Sequence, residues 1–236
     1  MNIALIGYGK MGKEIERIAV ERGHNISEII DINQNSIQNI SNNIDVAIEF
    51  TNPASAKNNV YDCLGKGIAV VSGTTGWNLN IEDISKKCIQ NNTAMFYASN
   101  FSVGMNIFMT INEKLAKLLN DFKDYSAKIE ETHHIHKLDK PSGTAITLAK
   151  DIIDNSSKYQ NWELNKSNDI LNLCISSFRE GEVIGDHKIT WENEIDNITI
   201  SHSAKNRSGF AIGAVLAAEF IQKKTGFFTM KNLLNL

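Results

Sequence analysis

The first half of the chain alternates short apolar runs with stretches in which apolar side chains recur every three to four positions. Residues 3–6 form a continuous apolar run, the pattern of a strand covered on both faces. Met11, Ile15, Ile18 and Ala19 then recur at helical spacing, and Gly23 stands where a helix C-terminus favours glycine. Residues 26–31, 46–50, 68–71 and 95–98 read as four further strands. Asn52 and Pro53 supply a capping side chain and a proline at the first helical position, which starts a helix running toward Gly65. Strand, helix, strand repeated in this way predicts a parallel sheet with crossover helices.

The pattern changes in the second half. Phe108, Ile111, Leu115 and Leu118 mark an amphipathic helix, residues 125–131 a strand, and a helix begins near Thr144. Residues 171–178, 183–191 and 197–203 are strand-like, and the last alternates Ile198 and Ile200 with Thr199 and Ser201. With Gly181 and Gly185 between them, antiparallel or mixed pairing is expected. Residues 155–168 are polar and poor in pattern and read as a loop; residues 210–223 read as a helix. The fold class is therefore α/β: a parallel-sheet domain from residues 1–103 plus 208–236, with an inserted α+β mixed-sheet domain over residues 104–207.

Composition adds exclusions. The 236 residues are 42% hydrophobic and 22% charged, ordinary for a folded chain. A net charge of −3 gives no general attraction to nucleic acid or to acidic membranes. No run approaches the roughly 18 apolar residues of a membrane span. The first residues lack a basic segment and their apolar run stops after four, so no secretory signal is expected. Cys63, Cys88 and Cys174 are far apart and odd in number, which suggests buried thiols in a reducing compartment, the cytoplasm.

Candidate chemistry gathers in two places. Gly7, Tyr8, Gly9, Lys10, Met11 and Gly12 form a G-x-G-x-x-G turn between the first strand and the first helix. Gly7 permits the tight turn, Gly9 lets backbone approach a pyrophosphate, and Gly12 lets helix and strand pack closely. The helix start offers free N–H groups and positive potential to phosphate. A tight turn with no ligand would use the same glycines. Asp31 lies about 20 residues on, where a carboxylate accepts from ribose hydroxyls and favours NADH. Ile32 follows it rather than an arginine, although Lys10 or Lys13 could still receive the 2′-phosphate of NADPH. Gly73, Thr74 and Thr75 follow the fourth strand, and Ala98, Ser99, Asn100 and Phe101 the fifth. Both loops fall at carboxyl ends of strands, where open parallel sheets bind ligands.

The second place is residues 130–137, which hold three of the six histidines. A metal site is one reading, with His134 and His136 on one strand face beside Glu130 or Glu131. The segment beyond favours another. Pro141 disfavours helix at Lys140, Ser142 is a good cap, and the helix from Gly143 would aim N–H groups at an anion. Histidine and lysine beside such a hole suit a small carboxylated substrate, with histidine as general acid near neutral pH. No resident metal is expected.

These segments resemble the 4-hydroxy-tetrahydrodipicolinate (dihydrodipicolinate) reductase family of the diaminopimelate–lysine pathway. They are GYGKMG (7–12), IEFTNP (48–53), SGTTG (72–76), ASNFSVGMN (98–106), ETHHIHKLDKPSGTA (131–145) and FREGEVIGDH (178–187), in family order. The resemblance implies a Rossmann-like dinucleotide domain, NADH and/or NADPH as cofactor, a small dicarboxylate substrate and a homotetramer built through the inserted domain. It implies hydride transfer to C4 of the cyclic substrate with loss of water. His133 matches the family's proton donor and Lys137 its paired lysine. His134, Ser142, Gly143 and Thr144 match substrate contacts, and the glycine turn, Asp31, Gly73 to Thr75 and Ala98 to Phe101 match cofactor contacts. Arg179 and Arg207 fall in family-like stretches, where surface or interface salt bridges would serve equally; His136 has no role assigned. Lys140 replaces the family's usual alanine, and the chain is short for the family, with loops that look trimmed. The rivals are another NAD(P)-dependent dehydrogenase of small amino acids, of the aspartate or homoserine type, and a dinucleotide sensor without turnover.

Overall fold

The computed structural model describes residues 1–31, 37–41, 43–166, 169–206 and 208–236. Ile32 and Arg207 lie outside them. The described chain divides into two compact units, Met1–Val103 with Ser208–Leu236, and Gly104–Arg207.

The first unit begins β1 (Asn2–Ile6), α1 (Lys10–Glu21), β2 (Asn25–Ile30), β3 (Val46–Glu49), α2 (Pro53–Gly65), β4 (Ala69–Ser72), α3 (Ile81–Gln90) and β5 (Ala94–Tyr97). Punctuation sets these bounds. Gly23, with φ +81°, follows the last turn of α1. The Asn52 side chain accepts from the N–H groups of Ala54 and Ser55, with Pro53 opening α2.

The second unit holds α4 (Val103–Leu119) from its second residue on, β6 (Ser126–His133), α5 (Gly143–Asn155), β7 (Asn161–Leu164), β8 (Asn172–Arg179), β9 (Asp186–Glu192) and β10 (Asn197–Ser203). Its sheet runs β10-β9-β6-β8-β7. The β10–β9 and β9–β6 pairs are antiparallel, and the β6–β8 and β8–β7 pairs are parallel, so the sheet is mixed. One face packs on α4 and α5, with Ile129, Leu173, Ile175, Ile189 and Trp191 meeting Phe108, Leu148 and Ile152. Single-face cover explains why β6 alternates strictly between buried and less buried residues.

Three expectations change here. In α4 the buried stripe is Met105, Phe108, Asn112, Ala116 and Leu119, whereas Ile111 and Leu118 are 45% and 70% exposed. The stripe is rotated because a polar residue belongs to it: the Asn112 amide donates to the Leu148 carbonyl at 3.1 Å. The loop expected at 155–168 contains β7, a short edge strand ordered by its ladder to β8 rather than by its own pattern; Ser167 and Asn168 lie outside the described residues. And β6 ends at His133, so His134 and His136 do not share a strand face.

The chain completes the first unit with α6 (Ser208–Ile221), β11 (Gly226–Phe228) and α7 (Met230–Leu234). That unit's sheet, β11-β5-β4-β3-β1-β2, is parallel throughout. Ile3, Leu5, Val46, Ile48 and Phe96 pack with α1 and α6 on one face. Ala4, Ile6, Ala47, Val70 and Met95 pack with α2 and α3 on the other. Cover on both faces is why these strands read as unbroken apolar runs.

Candidate active site

In the first unit, the turn after β1 is shaped by glycines. Gly7 has φ +90°, its N–H donates to the Ile30 carbonyl at 2.8 Å, and a Cβ there would sit 2.1 Å from the Phe50 carbonyl oxygen. A Cβ on Gly12 would lie 2.3 Å from the Gly7 carbonyl oxygen, so this glycine lets helix and turn touch. Gly9 differs: a Cβ there would meet nothing within 4 Å among the described residues. It caps α1 without a side chain, and the first turn of that helix carries no acidic residue. The bare helix start therefore faces open space with its N–H groups unscreened, a cradle suited to phosphate.

Two cavities flank this turn. One, of ≈ 360 Å³, is walled by Gly7, Tyr8 and Gly9 with Ile30, Asp31 and Phe50. The other, of ≈ 430 Å³, is walled by Gly9, Lys10, Met11 and Gly12 with Gly73, Thr74 and Thr75. Phe50 and Thr51 border both. Ala98 and Phe101 line neither; they are buried in the core, where Phe101 packs on Phe50 and Phe96. Beneath the loops lies Glu49, fully buried. Its carboxylate accepts from the Ser72 hydroxyl at 2.6 Å, the Thr74 hydroxyl at 2.9 Å and the Thr51 N–H and hydroxyl, which ties the ends of β3 and β4 together.

In the second unit the chemistry sits at the C-terminal end of β6. Register sets Glu131 opposite Ser177 on β8 and His187 on β9, and His133 opposite Arg179. Glu131, His133 and His187 are all buried. Burial alone would push the Glu131 carboxyl up, but hydrogen bonds from His133, Ser177 and Arg179 outweigh it and hold it down at about 2. Burial, with the neighbouring His133 second, pulls His187 down to about 4, so its ring is neutral at pH 7. A metal ion could span Glu131, His133 and His187 by distance. The Arg179 guanidinium already occupies the cationic place beside that carboxylate, 3.1 Å from Oε1, and this donor set fits a proton-handling cluster better than a cation.

The other predicted residues surround this core. The Lys137 amine is 2.7 Å from Asp139, and that hydrogen bond holds the Asp139 carboxyl below its ordinary range. Ser142 caps α5, accepting from the Ala145 N–H at 3.2 Å, and its own N–H donates to Glu131 at 3.3 Å. Its polar groups are thus committed within the protein, which leaves Gly143 and Thr144 as the first-turn N–H groups for an anion. The His134 Nδ1 is buried without a hydrogen-bond partner among the described residues, and His136 is exposed with Nε2 3.1 Å from Glu182. Sequence reasoning did not single out Phe50, Thr51, Ser177, Gly185 or His187, and gave Arg179 no role. The rule that ligands gather at strand carboxyl ends reaches Phe50 and Thr51 equally; the others need the strand register.

Acid sensitivity follows from this cluster. Glu131 and His187 both bind more protons unfolded, at ordinary values of 4.5 and 6.5, than folded. The stability from neutral His187 is present above 6.5 and lost as pH falls through about 4; that from ionised Glu131 is present above 4.5 and lost toward about 2. The urea midpoint should therefore fall between neutral pH and about 4, and His187→Gln should flatten that part of the profile. An unchanged slope in the variant would remove His187 from the account.

Residues 1–101 match the family model of the dihydrodipicolinate reductase N-terminus, and residues 104–234 that of its C-terminus. The chain belongs to the dihydrodipicolinate reductase family. It is 47% identical to the 4-hydroxy-tetrahydrodipicolinate reductase of Christiangramia forsetii over 238 residues, covering 100% of this chain and 98% of that one. It is 33% identical to the Staphylococcus haemolyticus enzyme of the same name, covering 99% and 100%. A dipicolinate-bound dihydrodipicolinate reductase from Paenisporosarcina sp. TG-14 shares the fold with a TM-score of 0.80, at 21% identity and 97% coverage of both chains. An engineered D-amino acid dehydrogenase bound to NADP+ reaches only 0.53, at 12% identity over 99% of this chain and 95% of its own. The activity that membership carries is NAD(P)H-dependent reduction of 4-hydroxy-tetrahydrodipicolinate in diaminopimelate and lysine biosynthesis, which displaces the amino-acid dehydrogenase and sensor readings. No helix among the described residues is long and apolar enough to cross a membrane.

Proposed function

We propose that this reductase divides its chemistry between the two units, with NAD(P)H held by the first and the substrate's carboxylates and the proton handled by the second. The observation that carries the reading is His133, buried at the end of β6 with Nδ1 on the Glu131 carboxylate and Lys137 four residues on. The bare start of α1, with Gly7, Gly9 and Gly12, takes the pyrophosphate, and Asp31 the adenosine ribose. Gly73 to Thr75 and the backbone of Ala98 to Phe101 border the nicotinamide half. When bound, the reduced nicotinamide supplies the hydride that C4 of the substrate receives. One proton balances that hydride as the C4 hydroxyl leaves as water, and His133 donates it. Lys137, His134 and the α5 start at Gly143 and Thr144 hold the carboxylates; Ser142 supports them by fixing that helix start. In this reading the enzyme works in the cytoplasm as a homotetramer built through the second unit, where Phe178, half exposed on the sheet face away from α4 and α5, offers an apolar contact to another copy.

Purified protein given freshly generated 4-hydroxy-tetrahydrodipicolinate should oxidise NADH, read as loss of the reduced-nicotinamide absorbance. No substrate-dependent loss at any pH would overturn the reading. Asp31→Ala should lower kcat/KM for NADH by about tenfold relative to NADPH, since a charged hydrogen bond contributes about 1.5–3 kcal/mol. An unchanged cofactor ratio would take Asp31 out of ribose recognition.

A further inference from the structure

We propose that Glu131 is the positioning residue that dictates which nitrogen of His133 works: it keeps a proton on Nδ1, so that the proton given to substrate is the one on Nε2. This rests on His133 being the donor, and adds how the protein selects the atom.

The two carboxylate oxygens of Glu131 do different jobs. Oε1 accepts from three donors: the Ser142 N–H at 3.3 Å, Arg179 Nη1 at 3.1 Å and the Ser177 hydroxyl. The Ser177 oxygen itself accepts from Arg179 at 3.1 Å, which turns its own hydrogen toward Glu131. Only an acceptor can stand in the Oε1 place. Oε2 meets His133 Nδ1. An ionised oxygen there requires an N–H on Nδ1, whether the ring is neutral or charged.

An independent observation points to Nε2 as the working atom. A Cβ on Gly185 would lie 3.0 Å from Nε2 and 3.4 Å from Cδ2 of His133. The backbone of Gly185 is not in the left-handed region, so its conformation does not demand glycine. A side chain would instead crowd the imidazole edge that carries Nε2, which glycine leaves unpressed. The protein thus clamps the Nδ1 edge of the imidazole with a carboxylate and leaves the Nε2 edge uncrowded by omitting a side chain.

Glu131→Gln tests this in the full chain. The three donors at Oε1 will select the amide oxygen, which turns the amide NH2 toward Nδ1. That nitrogen must then accept, and the neutral ring becomes the Nε2–H tautomer, which cannot give up its proton without becoming an imidazolate. Expected results are a kcat loss of about 10²-fold with KM for NADH unchanged. Nitrogen NMR of histidine-labelled protein should show the His133 signal, assigned by its loss in His133→Gln, moving from the Nδ1–H to the Nε2–H pattern. A wild-type kcat or an unmoved tautomer in Glu131→Gln overturns the inference. If His133→Gln itself keeps its rate, the donor reading fails, a result separate from the tautomer measurement. Should Glu131→Gln not fold, Gly185→Ala leaves the carboxylate clamp intact and crowds Nε2. It should lose kcat while keeping the Nδ1–H pattern, and full activity there overturns the choice of Nε2.

Discussion

His133→Gln is expected to lower kcat by about 10²-fold or more, because positioned proton transfer contributes roughly that much, and Lys137→Ala to lower it by a similar factor through loss of the cation that holds the substrate in place. The two losses have different origins. His133 is held in a buried pocket by Glu131, so the variant loses the proton while the fold around β6 persists. Lys137 is tethered to Asp139 at 2.7 Å and sits 23% exposed, so its removal takes a positioned cation from the substrate and leaves Asp139 as an unbalanced anion. For Lys137→Ala the loss should therefore extend to KM for the dicarboxylate, whereas for His133→Gln it should stay in kcat. Steady-state rates on substrate generated in place, with NADH saturating, separate the cases. Near-normal kcat in both variants would move the chemistry to other residues.

Gly7→Ala should have the largest effect on both stability and cofactor binding. The residue is at φ +90°, where an L side chain is strained, and its Cβ would overlap the Phe50 carbonyl oxygen at 2.1 Å. The atom met is backbone at the end of β3 and cannot rotate away. Strain and overpacking each cost about 1–3 kcal/mol, so a loss of about 3 kcal/mol is expected, or roughly 10 °C in Tm for a chain of this size. Pushing Phe50 away would also deform the wall shared by the two cavities, and NADH affinity should fall at least about tenfold, an expectation scaled to one lost charged hydrogen bond. Calorimetry and cofactor titration read both effects. An alanine variant with wild-type Tm would contradict the contact.

The parts of the fold that were legible in the sequence are those whose signals are local. Two-sided burial leaves unbroken apolar runs at β1, β3 and β4, and Asn52 with Pro53 announces α2 on its own. The α4 stripe was misread by one position because Asn112 gains its place from a carbonyl 36 residues away. β7 carries polar residues and exists through β8, and β11 is three residues completed by β5. The site divides along the same line. The glycine turn is contiguous, and so are His133, Lys137 and the α5 cap. Glu131 was visible but lacked a partner, because Ser177, Arg179 and His187 meet it only through the pairing of β6 with β8 and β9.

The order of the chain has a consequence for how it is made. Residues 1–103 emerge from the ribosome before α6, which shares with α1 the cover of one face of their sheet. Ala211, Ala214, Val215, Ala217, Ala218 and Ile221 of α6 bury Ile3, Leu5, Val46 and Ile48, and arrive about 100 residues later, after the whole second unit. The insert, contiguous in sequence, can finish folding while its host waits half-dressed. The nascent chain therefore passes through a stage with the α6 side of that apolar sheet face open to water, and a protein truncated before α6 should be bound by chaperones or aggregate even though both of its candidate sites have already been synthesised.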